Sequence, residues 1–176
     1  MPEPQDVIDA RKNKDDKNYY LKVLKLNPML LEWANDIIRD DKDVVMEAVK
    51  IDSGALEFAS DRLKNDKEIL LEATKKSGWT ICYASEKLRD DKDVLLSATS
   101  NDGQALYFAS ARLRDDKDVV MQAVKNKPII LKFASLRLRS DREVILTAIS
   151  KNPKVLEFAA EKLQTDEEIL KEINKE

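Results

Sequence analysis

Histidine is absent from the 176-residue chain. That removes the commonest general base, the commonest metal ligand and every Ser-His or Cys-His nucleophile pair. A single cysteine, Cys82, cannot form an intrachain disulfide and implies no secretory disulfide framework. It also has no candidate base partner in the sequence. The only glycines are Gly54, Gly78 and Gly103, and none sits in a loop able to cradle a phosphate. No hydrophobic run approaches the roughly 18 residues of a membrane span. The opening Met-Pro-Glu-Pro-Gln-Asp has neither the basic nor the apolar region of a signal peptide. Neither charge sign dominates: 31 Lys and Arg stand against 34 Asp and Glu, interspersed, for a net charge of −3. The basic excess that nucleic acid or an anionic membrane calls for is therefore missing. The expectation is a cytoplasmic protein with no cofactor, no metal site, no membrane contact and no enzymatic activity. Secretion by a route that leaves no readable signal stays open.

What is present is a 25-residue unit in strict register. Residues 1–14 form a polar N-terminal cap with Val7 and Ile8 as its apolar anchors. Six copies follow over 15–164, and a half-copy over 165–176 closes what reads as a single domain. In the half-copy, Lys171 and Asn174 replace core residues, as the polar end of a stacked array requires. A fixed period of this length marks a quasi-one-dimensional array. With positions numbered from Asp15, position 1 is always a helix-capping residue type, and an acid or Asn follows at position 4. This predicts a capping box and a first helix beginning after position 1. Its apolar residues at positions 5, 6, 7, 9 and 10 cover an arc of roughly 200°, wide enough to pack on two sides.

Position 13 is a capping type in five of six copies, and Pro, Ser or Gly follows at position 14. A second helix is expected from there, since Pro is well tolerated at the first helical position. Its core stripe would be positions 16, 17, 20 and 24, with position 20 alanine in every copy. Each unit is thus a helical hairpin, and the fold class is an all-α solenoid of six helix-turn-helix repeats with a capping half-repeat. Position 19 is always aromatic: Trp33, Phe58, Tyr83, Phe108, Phe133 and Phe158. These rings read as inter-repeat wedges of the core; the competing reading is a ladder for stacking single-stranded bases.

Several recurring charges have structural readings. Position 2 is aspartate in all seven copies, from Asp16 to Asp166. Calcium loops need a glycine turn, and none lies near these residues. Capping, with salt bridges to the position-25 bases such as Arg39 and Arg114, accounts for them. The position-23 bases Arg62, Lys87, Arg112, Arg137 and Lys162 lie one helical turn after the aromatic, where they can stack on it.

One pattern is not demanded by folding. On an α-helix, positions 15, 18 and 22 lie within roughly 60° of one another, opposite the core stripe. Copy two holds Gly54, Glu57 and Asp61 there, and copy six Lys154, Glu157 and Glu161. The middle copies turn apolar, with Trp79 and Cys82, Tyr107 and Ala111, then Ile129 and Leu136. Exposed aromatic and aliphatic groups in one place mark interaction sites. The candidate partner-binding residues are Trp79, Cys82, Tyr107, Ile129, Lys132 and Leu136, with Lys132 and Lys154 on the rim. The competing reading is scattered surface apolar residues of the ordinary kind.

The run Asp40–Val45, Asp-Asp-Lys-Asp-Val-Val, with Leu56–Leu63, Leu-Glu-Phe-Ala-Ser-Asp-Arg-Leu, resembles the domain-of-unknown-function family 4116 over nearly the whole chain. That resemblance implies the repeat architecture and carries no activity or catalytic residue. The functional expectation is a non-catalytic, monomeric scaffold that binds a protein partner. The alternatives are a nucleic-acid-binding repeat protein, which the charge disfavours, and a structural spacer array.

Overall fold

A computed structural model describes residues 4–173. Among the described residues every regular element is helical, and the chain is an all-α helical-repeat solenoid. It falls into two compact units, 1–85 and 86–176. The first unit opens with a helix over Gln5–Lys12 and holds copies one and two and most of copy three. The second holds the end of copy three, copies four to six and the terminal helix Glu167–Ile173.

Within a copy the first helix is α-helical, as in Lys42–Ile51 of the first unit and Lys117–Asn126 of the second. Positions 5, 6, 9 and 10 are buried on it: Val44, Val45, Ala48 and Val49 in one, Val119, Val120, Ala123 and Val124 in the other. Full burial of each branched aliphatic contributes about 1.5–3 kcal/mol. Position 7, held by Met46 and Met121, stays partly exposed, so the apolar arc is narrower than the sequence pattern implies.

The cap lies one residue later than expected. The helix begins at position 3, and the position-2 aspartate is its N-cap: Asp41 accepts from the N–H groups of Asp43 and Val44, and Asp116 from those of Asp118 and Val119. The position-1 carboxylate instead takes side chains from the end of its own copy. Asp90 accepts from Ser110 Oγ and, at 3.0 Å, from Arg112 Nε. Asp40 and Asp115 accept in the same way from Ser60 with Arg62 and from Ser135 with Arg137. These arginines therefore lie on the aspartate and not on the position-19 ring.

The second helix is two short pieces. Positions 14–19 form a 3-10 helix, as in Ser53–Phe58 and Gly103–Phe108, capped by Asp52 and Asp102 at position 13. Position 20 then leaves the helix in an extended conformation, with ψ 159° at Ala59 and 150° at Ala109. Both alanines are buried. A single turn closes the copy, for example Asp61–Lys64, capped by Ser60 at position 21. The position-19 rings are only half-buried, which corrects their reading as core wedges.

Two joints connect successive copies inside each unit. The position-21 N–H donates to the position-25 carbonyl of the preceding copy: Ser60 to Arg39 at 3.0 Å, and Ser135 to Arg114 at 2.9 Å. The position-3 cation bridges two acids of the following copy. Lys42 reaches Asp66 at 2.8 Å and Glu68 at 2.7 Å, while Lys92 reaches Asp116 at 2.9 Å and Asp118 at 2.7 Å. Arg39 and Arg139 at position 25 do not pair with the aspartates as expected. Arg39 donates to the Glu32 carbonyl and Arg139 to the Phe158 carbonyl. In the terminal helix Lys171 is exposed, as a polar end requires, and Asn174 lies outside the described residues.

Candidate functional site

The 3-10 geometry changes which side chains share a face. With three residues per turn, residues i and i+3 eclipse. Positions 15 and 18 therefore stand one above the other on one short helix, whereas position 22 lies beyond the extended alanine. In the first unit this pairs Trp79 with Cys82 on Gly78–Tyr83. In the second it pairs Gln104 with Tyr107 on Gly103–Phe108, and Ile129 with Lys132 on Pro128–Phe133. Leu136 is 63% exposed on the far side of the bend at Ala134, so the structure does not place it on this face. The face drawn from α-helical phasing is thereby split.

In the second unit Tyr107 forms the centre of the face. Its ring meets Phe108 and Phe133 edge-on, with centroids 5.0 Å apart in both cases. Phe133 belongs to the next copy, so Tyr107 bridges copies four and five. It still leaves 55% of its surface to solvent, and Ile129 leaves 37%. Lys132 Nζ lies 5.0 Å from the centroid of the Phe133 ring, a cation–π arrangement. Arg89 approaches the Phe108 ring at 5.7 Å. The result is a partly exposed patch of three rings with a lysine over one of them and an exposed isoleucine on the same 3-10 helix as that lysine.

The first unit presents a different surface. Trp79 is 49% exposed, and Cys82 is half-buried beside Tyr83. Burial and then a hydrogen bond to the Glu57 carboxylate, 3.1 Å away, push the Tyr83 hydroxyl up to about 12. In copies one and two, positions 18 and 22 hold the exposed acids Glu32, Asp36, Glu57 and Asp61.

Sequence reasoning missed Phe108 and Phe133 as parts of the face, because it assigned every position-19 ring to the interior. It also passed over Leu26 and Ile37, which are 89% and 77% exposed in the first unit. Ile37 was detectable: it is the one apolar residue in an otherwise basic column at position 23. The recurring aspartates are taken up by caps and ion pairs, and no group of three or more metal-ligating side chains gathers among the described residues. No described helix is long and apolar enough to cross a membrane.

A family model described as "domain of unknown function (DUF4116)" matches residues 16–64, 45–89, 91–139 and 141–176. The matches 16–64 and 91–139 each take in almost two of the 25-residue copies. Neither a curated protein nor a solved structure matches the chain.

Proposed function

From a chain that belongs to the family described as domain of unknown function (DUF4116), we propose a non-catalytic helical-repeat scaffold that binds a protein partner. The observation that carries this reading is Tyr107. It occupies an outward position that is acidic in copies one, two and six, it is more than half exposed, and two neighbouring rings meet it edge-on. A rigid aromatic loses little conformational freedom on binding, and tyrosine and tryptophan dominate interface energetics. Ile129 is a further exposed apolar side chain on the 3-10 helix of the next copy, and Trp79 is a comparably exposed ring in the first unit. The absence of histidine and the use of the aspartates as caps supply no catalytic constellation to set against this.

The test is quantitative affinity capture from lysate with the intact chain, Tyr107→Ala, Ile129→Ala and Trp79→Ala side by side. A protein retained by the intact chain and lost from Tyr107→Ala supports the reading. Recovery of the same proteins by all four would overturn it.

A further inference from the structure

We propose that the Tyr107–Lys132 face of the second unit takes an acidic protein segment carrying an aromatic or branched aliphatic side chain. This rests on the protein-binding reading above and names the chemistry of the partner.

Charge pairing carries the argument. In the second unit the cations of the framework have carboxylates. Lys92 and Lys117 each hold two, at 2.7 and 2.9 Å, and Arg142 holds two, at 2.6 and 3.0 Å. Arg112 and Arg137 hold one aspartate each, at 3.0 and 2.9 Å. Lys132 and Lys154 stand outside that framework, as Lys125, Lys127 and Lys151 also do, and what sets the two apart is their place at outward positions of the 3-10 helices. Both are exposed, and no described carboxylate lies within ion-pairing distance of either. Lys132 rests over Phe133 instead. Neither lysine caps, bridges copies or holds a turn, so the fold does not call for them.

Their placement matches the apolar patch. Lys132 eclipses Ile129 on the same 3-10 helix and neighbours the Tyr107–Phe133 pair, and Lys154 occupies the position of Ile129 in the next copy. A partner side chain set against Tyr107 and Ile129 would thus lie between copies whose outward lysines lack carboxylates. An acidic segment satisfies both features: its apolar residue covers the patch, and its carboxylates meet lysines that no acid of the chain occupies. Nucleic acid fits less well. It needs a run of cations along its backbone, and the outward positions of copy six continue as Glu157 and Glu161.

The experiment is fluorescence anisotropy of the full chain with a labelled peptide, Glu-Glu-Phe-Glu-Glu-Leu-Glu-Glu, beside the same peptide with every Glu replaced by Lys, and beside a short single-stranded oligothymidylate. The expected result is saturable binding of the acidic peptide alone. Tyr107→Ala, and the double variant Lys132→Glu with Lys154→Glu, should each weaken it about tenfold or more, while Lys132→Arg with Lys154→Arg keeps it. Cooperative urea unfolding, with the midpoint kept by the lysine variants and only modestly lowered in Tyr107→Ala, shows that these exposed substitutions leave the fold intact. Equal binding of the lysine peptide, stronger binding of the oligonucleotide, no binding of the acidic peptide, or indifference to the Lys→Glu pair each overturns the proposal. A doubled mass in light scattering that the Lys→Glu pair abolishes would assign the face to a second copy of the chain and overturn it as well. Should the acidic peptide fail while a captured protein is still lost from Tyr107→Ala, the partner chemistry falls and the protein-binding reading stands. Capture indifferent to Tyr107→Ala removes that reading itself.

Discussion

In the first unit, positions 18 and 22 of copies one and two hold Glu32, Asp36, Glu57 and Asp61; in the second, the same positions of copies four and five hold Tyr107, Ala111, Lys132 and Leu136. The long helices differ in the same way. In copies two and three, positions 8 and 11 carry Glu47 with Lys50 and Glu72 with Lys75, each pair closed as an ion pair at 3.5 and 3.3 Å. Copies four and six put Ser97 with Ser100 and Thr147 with Ser150 there, with the Ser100 and Ser150 hydroxyls turned back onto helix carbonyls. Beneath these surfaces, positions 2, 3, 5, 6, 9, 10, 17, 20 and 24 do the same work in both units. Cap, bridge and core are properties of the repeat, and what each unit presents to solvent is set by a handful of outward positions that the repeat leaves free. Additive, nearest-neighbour stability is the expected consequence of such an arrangement.

The sharpest way to break the likeness of the two units is at glycine. A Cβ on Gly103 would stand 2.4 Å from the Ala123 backbone carbonyl and 3.0 Å from Lys127 Cβ. Its N–H also donates to Asn126 Oδ1 at 2.9 Å, and the Asn126 amide donates in turn to the Ser100 and Asn101 carbonyls, so two copies meet backbone to backbone here. Gly54 in the first unit meets only the side chain of its own Asp52. Gly103→Ala should therefore lose about 1–3 kcal/mol or more, whereas Gly54→Ala should stay within about 0.5 kcal/mol of the parent. Urea unfolding of the two variants decides it, and equal losses would refute the close approach.

Much of this was legible in the sequence, and the boundary is physical. Burial repeats with the 25-residue period, so Val44, Val45, Leu56 and Leu63 could be placed in the core from spacing alone. The cap register could not be: Asp40 and Asp41 are both capping residue types, and only the three-dimensional path shows that Ser60 and Arg62 come back to claim the first. The break at Ala59 was equally hidden, because apolar residues at 16, 17 and 20 suit an α-helix and a 3-10 helix alike. That ambiguity carried over to the site. Trp79, Cys82, Tyr107, Ile129 and Lys132 lie on 3-10 helices, Leu136 lies past the bend, and Phe133 meets Tyr107 through a contact between copies that no single copy encodes.

A smaller effect should come out equal in the two units. Asp66→Ala and Asp116→Ala each remove an N-cap and one arm of a bridge, and each should cost about 0.5–2 kcal/mol. Burial opposes ionisation of both carboxyls, but hydrogen bonds from Lys42 or Lys92 and from two backbone N–H groups outweigh it, so both titrate below the ordinary 3.8. A carboxyl lowered in the folded state stabilises fully above its unfolded value and loses that contribution as pH falls through the folded one. Melting temperature should therefore decline below about pH 4, less steeply in each Asp→Ala variant than in the parent. Added calcium should leave it unchanged. A cost confined to one unit, or a calcium-dependent rise, would show that the repeated aspartates are not equivalent caps.

The smallest expected effects on stability are at the aromatic anchors. Tyr107→Ala gives up two edge-on ring contacts and should cost about 1 kcal/mol; Trp79→Ala in the first unit should cost no more than about that. Chemical denaturation of both variants checks this. A loss of several kcal/mol at either ring would make it part of the interior and not of a recognition surface.

The bridge from a position-3 cation to the acids at positions 2 and 4 of the following copy works as a plug and a socket of fixed pattern. Lys42 and Lys92 offer one half and Asp66 with Glu68, or Asp116 with Asp118, the other. Every such copy carries the plug for its successor and the socket for its predecessor on adjacent residues of a single helical turn. Duplicating or excising one whole period between joints of this kind restores the same fit at the new junction, while adding or removing a single residue sets a plug against the wrong socket. Arrays of this type can lengthen and shorten by unequal exchange of whole copies, and the outward residues at positions 15 and 18 can travel with a copy as a cassette of surface chemistry without any change to the joints.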